Sequence, residues 1–469
     1  MSWFVAILGE QDSESLRFRT LTVIKCDNLI YTASRVSFWK SGRLKGVVLA
    51  AGEGVRLLPI TETRSKHMVP IAGRPIIEHV VRSLTTSGVS ELLVVVGYKR
   101  DILQGFLGDG GKFGAKISYA VQPGVLGTAH AIGMAEDFVG EEDFLVIYGD
   151  LFTTPRAIRR VLEIYEAGGE KPTLTVVPVP NPSSYGVVSV IEDRVKRIVE
   201  KPEPQEVPSN LANAGIYIFG NEIFDAIKST VKSERGELEV TDSINTLTSK
   251  GIEFAVARIE QKDWMDMGCP WDVLEANRLC LTELEPSILG EIESGARLVG
   301  QVFIDREARI LSGAYVEGPT YIGEDCEIGP NCLIRPYTSL GKDVKIGNAC
   351  EVKNSIVMDA TKIPHNSYVG DSIIGESCNF GAGTIVANLR LDDKSVKMIV
   401  KGKLVDTKTR KFGVIVGDNV RTGVNVSLMP GIKIGSFSWI GPSVVVCRDL
   451  PSGVIVTQKQ ELEQREIQR

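Results

Sequence analysis

From residue 292 onward an aliphatic residue or a methionine recurs at every sixth position: Ile292, Leu298, Ile304, Ile310, Val316, Ile322, Ile328, Ile334, Leu340, Ile346, Val352 and Met358. A second set of small or apolar residues runs four positions behind it, from Ala296 and Val302 through Cys326, Cys332 and Cys350 to Ile356. An α-helical period would scatter these side chains around the axis. A period of six is met when each hexad lays down one flat face and the faces stack into a parallel β-helix. The series resumes at Ile374, Phe380 and Val386, and again from Val416 to Val446. Two stretches break it: Ile363-Pro364-His365-Asn366-Ser367-Tyr368, and residues 389–413. Four of the eight cysteines, Cys326, Cys332, Cys350 and Cys378, become small wall residues. No CxxC pair or zinc spacing is present, so the thiols read as buried groups in a reducing cytoplasm.

The N-terminal part has a different grammar. GVVLAA (46–51), ELLVVVG (91–97), ISYAVQ (117–122), FLVIYGD (144–150) and PTLTVVPV (172–179) are short apolar runs rich in β-branched residues, most of them separated by helical stretches. Strands alternating with helices predict a parallel sheet covered on both faces, with ligands at the carboxyl ends of the strands. The fold class expected is therefore α/β, a Rossmann-like domain, followed by the parallel β-helix.

Two motifs fall at such strand ends. In LAAGEGVRLLPITETRSKHMVP, Gly52 and Gly54 let the backbone approach a ligand, and successive N–H groups in such a turn cradle phosphates. The loop lacks the G-K-[ST] ending of a P-loop and the third glycine of a dinucleotide fingerprint. Instead Arg56 and Lys66 add positive charge, which suits a triphosphate that loses pyrophosphate; an ordinary turn with solvated cations is the plainer alternative. In Tyr148-Gly149-Asp150, the carboxylate either helps to hold Mg²⁺ or caps the helix after it. Asp266, in DWMDMGCPW, is the second carboxylate such a metal needs. The net charge of −6 argues against nucleic acid or an anionic membrane as partner, so any anion site is a local cluster. No apolar run reaches the ~18 residues of a membrane span, and the start lacks the basic region of a signal peptide.

LAAGEGVRL, SKHMVPIAGRP, YGDL, VEKP, NAGIY and WMDMG together resemble the sugar-1-phosphate nucleotidylyltransferases, in that family's order. The resemblance implies attack of a sugar 1-phosphate on the α-phosphorus of a nucleoside triphosphate. It implies that Arg56 and Lys66 clamp the triphosphate and that Asp150 and Asp266 hold Mg²⁺. Leu49, Ala50, Ala51 and Gly52 would line the nucleotide, with Gln122, Gly127 and Thr128 in the base-reading segment. Gly186, Glu200 and Asn213 would contact the sugar, and Lys201 its phosphate. Val125 departs from the glutamine of bacterial relatives, so thymidine triphosphate joins UTP as an expected substrate.

The second half, through IRPYT, EVKNS, KIPHNSYVGDS, CNFGAGT and VANLR, resembles the acetyltransferase part of the bifunctional glucosamine-1-phosphate N-acetyltransferase / UDP-N-acetylglucosamine pyrophosphorylases, in the wording of the archaeal branch. That family's β-helix is left-handed, and its members are usually trimers. The resemblance implies Arg335 and Lys353 as the clamp on the sugar phosphate, His365 as general base, and Tyr368 and Asn379 as sugar contacts. Asn388 and a backbone N–H of Ala382 would face acetyl-CoA. Lys394 and Lys397, in a lysine-rich insertion that is otherwise a solvated loop, would seat the coenzyme. A lone histidine is as readily structural as catalytic; its company in these motifs favours the base.

The resemblance spans about residues 44–455. The division expected is an extension over 1–43, either poorly ordered or an upstream misread start, then a nucleotidylyltransferase domain over 44–270. A linker helix over 271–289, a β-helix over 290–455 and a polar tail over 456–469 follow.

Overall fold

The computed structural model describes residues 44–234, 236–465 and 467. The extension expected over 1–43 lies outside the described residues.

Four strands stand parallel in the N-terminal domain, in the spatial order Lys116–Val121, Glu91–Val96, Lys45–Ala50 and Phe144–Tyr148. The two central ones are buried along almost their whole length, which explains why they read as continuous apolar runs rather than alternating ones. The expected parallel order stops there. Leu211–Phe219 pairs antiparallel with Phe144–Tyr148, and only beyond it comes Thr173–Pro178, so the run at 172–179 is one strand removed from its sequence neighbour. Ala255–Arg258, Arg194–Glu200 and Gly186–Ile191 complete a mixed nine-stranded sheet. Register places Leu49 opposite Tyr148, so the loops that leave these two strands share one crevice.

Helix Pro270–Glu283 joins the halves. It starts where the sequence provides both Pro270 at the first helical position and Asp272, whose carboxylate accepts the Cys269 N–H at 2.8 Å. Two residues of the next coil already pair at Ser287–Ile288, so the β-helix begins slightly before residue 290.

The C-terminal half is a left-handed β-helix of three parallel sheets with eight, nine and eight short strands. The sixth-position residues point into its bore: Ile304, Ile322 and Leu340 stack on one wall, Ile310, Ile328 and Ile346 on the next, Val316, Ile334 and Val352 on the third. Each such side chain is fully buried, a contribution of ~1.5–3 kcal/mol apiece relative to exposure. The corners need left-handed backbone, and Asn331, Asp343, Asn354, Asn366 and Asp371 supply it with residues that tolerate it.

Three expectations about the repeat are corrected. After Val352 the next inward residue is Val357, not Met358, because the corner there is one residue shorter; the partnering of Leu340 with Val357 shows the slip. Ile356 and Met358 instead face outward, into a second core that also holds Leu57, Ile60, Val69 and Ile76 of the N-terminal domain. The stretch 363–368 is regular, with Ile363 and Val369 both in the bore; a second short corner follows at 370–373. Residues 389–413 do not wave free: they form the hairpin Lys397–Val400 with Lys403–Asp406. Its Val396, Met398 and Val400 are buried in the interdomain core, beside Phe412, whose ring meets Trp271 edge-on at 6.4 Å. Period-two alternation leaves Lys397 and Ile399 outside.

Among the described residues no helix is long and apolar enough to cross a membrane, and Cys269, Cys280, Cys326, Cys332, Cys350, Cys378 and Cys447 are all free thiols.

Two candidate active sites

The first site lies where the glycine loop meets Asp150. Gly54 has φ of 69°, and a Cβ there would stand 2.7 Å from Lys66 Cβ; a Cβ on Gly52 would touch Lys66 Cε at 3.4 Å. The loop carries glycine at these two positions because the Lys66 stem crosses it there. The Lys66 ammonium donates to the Asp150 carboxylate. Asp150 caps no helix: Thr154 is the N-cap of Pro155–Ala167 and accepts the Ala157 N–H at 3.3 Å. The strand Trp264–Asp266 pairs with Leu151–Thr153, with Asp266 opposite Leu151, and Met267 N–H donates to the Asp150 carbonyl at 3.3 Å. Asp150 and Asp266 are thereby neighbours.

Their electrostatics agree. Burial and then repulsion from Asp150 push the Asp266 carboxyl above its ordinary range, against the pull of Arg56, Lys66 and Lys201. Burial also disfavours the Asp150 charge, but Lys66 and the hydrogen bond it donates outweigh that and hold its pKa down. Lost solvation opposes the charge on Arg56; Asp266, Cys269, Asp150 and Asp272 more than restore it. A Cβ on Gly268 would lie 2.8 Å from Arg56 Nη1, so the glycine after Met267 leaves room for the guanidinium. Among the described residues no group of three or more His, Cys, Asp or Glu converges. Two hard carboxylates side by side, with phosphate oxygens to complete the shell, fit a Mg²⁺ site, which normally keeps few protein ligands.

The remaining positions divide. Leu49 and Ala51 use their carbonyls to accept the Gly149 and Tyr98 N–H groups at 2.8 and 3.2 Å, so with Ala50 they tie the floor together. Gln122 is buried and donates to the Gly127 carbonyl at 3.1 Å. Gly127 packs so close to Leu238 that a Cβ would lie 2.3 Å from its carbonyl oxygen. The Thr128 hydroxyl accepts the Val240 N–H at 3.0 Å, a bond inside the fold. Gly186, Glu200 and Asn213 do come together: a Cβ on Gly186 would meet Glu200 Oε2 at 2.8 Å and Asn213 Cβ at 3.6 Å. Asn213 donates to the Tyr217 hydroxyl at 2.7 Å, and Lys201 lies 3.8 Å from Glu200.

The second site runs across the third sheet of the β-helix. Arg335, Lys353 and Asp371 stack at one corner of consecutive coils. Lys353 Nζ donates to Asp371 at 3.0 Å, and Asn388 donates both to Asp371 and to the Tyr368 hydroxyl, at 3.0 Å. Gly370 makes this possible, since a Cβ there would stand 2.5 Å from the Tyr368 hydroxyl. Arg335 Nη1 donates to Glu351 at 2.8 Å. His365 is exposed at the end of the strand Lys362–His365 in the second sheet, at the corner that leads into Tyr368–Gly370, about one short strand (~10 Å) from that cluster. It sits on a regular corner, with Ala382 at the same corner of the next coil, where Gly383 N–H donates to the His365 carbonyl at 3.3 Å. Asn379 is not brought to Tyr368 within one chain: it lies exposed on the neighbouring sheet, paired with Lys362. Lys394 and Lys397 are exposed on the hairpin.

Sequence reasoning missed one wall. A cavity of about 400 Å³ is bounded by Arg335, Lys353 and Asp371 on the coil, by Trp271 and Arg278 of the linker helix, and by Lys411. The Arg278 guanidinium lies 4.7 Å over the Tyr337 ring, and Tyr337 itself holds φ of 68°. Asn277, fully buried, fixes that arrangement by donating to the Tyr337 carbonyl at 3.0 Å and accepting the Ala72 N–H at 2.8 Å. No sequence signal marked it, since Asn277 is an ordinary polar residue of a connecting helix until the fold buries it.

Residues 45–283 match the Nucleotidyl transferase family, and 316–428 the GMPPB C-terminal domain. The chain is 47% identical to "Bifunctional protein GlmU" of Methanococcus maripaludis over 422 residues, 89% of this chain and 98% of that one. It is 42% identical to the "Bifunctional sugar-1-phosphate nucleotidylyltransferase/acetyltransferase" of Sulfurisphaera tokodaii, over 87% of this chain and 99% of that one. It is 39% identical to "Low-salt glycan biosynthesis nucleotidyltransferase Agl11" of Haloferax volcanii, over 72% of this chain and 94% of that one. Because the family match spans more than half of the chain and these relatives are matched over nearly their whole length, the chain belongs to the nucleotidyl transferase family and, within it, to the archaeal bifunctional GlmU transferases.

Proposed function

We propose that the C-terminal half transfers the acetyl group of acetyl-CoA to the amine of glucosamine 1-phosphate, and that the N-terminal half couples the product to UTP, releasing pyrophosphate. The observation that carries the two-activity reading is the Lys353–Asp371–Asn388–Tyr368 network. A β-helix that only held subunits together would have no use for a cation, a carboxylate and two polar groups locked together beside a cavity. Arg335, Lys353, Arg278 and Lys411 against Glu275 and Asp371 leave that lining net positive, as a phosphate monoester requires. His365, across the sheet, takes the proton of the attacking amine; Tyr368 and Asn388 orient the sugar between the two ends. Asn379 and Ala382 on the adjoining face, with Lys394 and Lys397, join the site when the face of one subunit meets the sheet of another, which favours a homotrimer.

In the first crevice Lys66 and Arg56 hold the triphosphate and steady the charge that grows on it during in-line attack; the sugar phosphate is the nucleophile. Asp150 and Asp266 would hold Mg²⁺, which when bound would supply neutralisation of phosphate charge. Glu200, Asn213 and Gly186 face the sugar and Lys201 its phosphate. Gln122 and the Gly127–Thr128 turn frame the base, and exposed Val125 offers it no hydrogen bond, so thymidine triphosphate is admitted as well. A cytoplasmic location is the reading that these substrates and the free thiols among the described residues support. The test is to supply purified protein with glucosamine 1-phosphate, acetyl-CoA, UTP and Mg²⁺ and to identify every product. Uridylyl transfer without acetyl transfer reduces the β-helix to an assembly device.

A further inference from the structure

The loop that carries Lys66 is fastened to the other domain by three consecutive residues. Arg64, 6% exposed, donates through Nη1 to Glu376 at 2.5 Å and through Nη2 to Asp418. The Thr63 hydroxyl donates to the same Asp418 oxygen at 2.5 Å. Glu62 accepts the Ser436 N–H at 3.2 Å and the Ser452 hydroxyl at 2.6 Å. Asp418 is in turn held by its own coil: its second oxygen accepts the Glu376 N–H at 2.8 Å, and its N–H donates to Ser436 Oγ at 3.2 Å. Glu376, Asp418, Ser436 and Ser452 stand at one corner of successive coils. That corner carries none of His365, Arg335 or Lys353.

Between this fastening and Lys66 stands only Ser65, which is fully buried and within 2.7 Å of His67 Nδ1. The Arg64–Asp418 pair is buried on both sides, so neither charge finds water if that contact opens; Glu376 is the more open partner. We propose that Asp418, a residue of the acetyltransferase half, is a positioning residue for nucleotidyl transfer: through Arg64 it fixes the loop that presents Lys66 to the triphosphate. The inference rests on the role given to Lys66 above. It makes the β-helix part of the scaffold of the first site as well as the seat of the second.

The test uses the full chain. Asp418→Asn keeps the shape and removes the charge; a misplacement of the order of an ångström lowers kcat for uridylyl transfer between about tenfold and 10²-fold. Acetyl transfer in the same preparation stays within about twofold, because a different corner serves it. If the effect runs through Lys66, adding Asp418→Asn to Lys66→Ala costs nothing further, and Arg64→Ala with Asp418→Asn is no worse than either alone. Unchanged uridylyl transfer in Asp418→Asn, or the same fold-loss repeated on the Lys66→Ala background, overturns the proposal. Should Asp418→Asn impair acetyl transfer too, Thr63→Val decides: selective loss of uridylyl transfer supports the proposal and normal transfer overturns it. A wild type without uridylyl transfer overturns the functional reading itself, and the control assay distinguishes that case.

Discussion

Lys66 donates a hydrogen bond to Asp150 across the crevice, so the cation expected to clamp a triphosphate and a carboxylate expected to hold a metal neutralise each other when no substrate lies between them. A ligand that brings both negative phosphate and a divalent cation separates the pair and gives each a better partner. Lys66→Ala is expected to slow uridylyl transfer by ~10²-fold or more, the loss seen when one preorganised charge-stabilising donor is removed. The loss is the same with thymidine triphosphate, because this side chain does not read the base. Steady-state rates with both nucleotides check it; a loss confined to one makes Lys66 a specificity residue.

Asp150→Asn and Asp266→Asn are each expected to abolish pyrophosphate release while acetyl transfer proceeds. Burial and the neighbouring Asp150 raise the Asp266 pKa, a cost that Arg56, Lys66 and Lys201 offset only in part and that a cation held by both carboxylates would relieve further. Coupled assays for pyrophosphate and free CoA on one preparation decide it, and near-normal nucleotidyl transfer in both variants removes the metal role.

His365→Ala is expected to cut acetyl transfer by roughly 10²–10⁴-fold, the usual share of general acid–base catalysis. Uridylyl transfer from supplied N-acetylglucosamine 1-phosphate stays normal, since that crevice is in the other domain. Surviving acetyl transfer would assign the base elsewhere.

Burial, with Lys66 beside it, depresses the His67 pKa from 6.5 to about 3. Between those values the unfolded chain binds a proton that the folded chain refuses, so stability falls as pH falls from 6.5. The slope from this group is about 1.4 kcal/mol per pH unit, or about 2 kcal/mol by pH 5. Denaturant midpoints at pH 7 and pH 5 measure it. His67→Gln flattens the difference, and an equal difference in wild type and variant counts against the assignment.

A homotrimer is expected in solution. Ile385 and Val445 point outward on the sheet that carries Tyr368, while Trp439 and Ile455 point outward on the sheet that carries Asn379. Two adjoining faces of the β-helix with exposed apolar residues suit side-by-side packing. Sedimentation at assay concentration checks it; a fully active monomer contradicts it.

The hexad period was legible because burial in a β-helix is local: each sixth residue meets its own neighbours one coil away, and the demand repeats along the chain. That the glycine loop, Asp150 and Asp266 would meet was legible because the loop and Asp150 follow the ends of adjacent parallel strands, and Asp266 lies on a strand that pairs with the one after Asp150. Ile356 and Met358 misled for a physical reason. They are apolar, as an inward residue would be, yet what buries them is Leu57, Ile60 and their neighbours from nearly 300 positions earlier. A one-residue shortening of a corner leaves no mark when apolar side chains are wanted on both sides of the wall. Asn277, Arg278 and the Arg64–Asp418 pair were likewise silent in the sequence. Each is an ordinary polar residue until the tertiary fold sets its partner beside it, and only then does burial make the pairing obligatory.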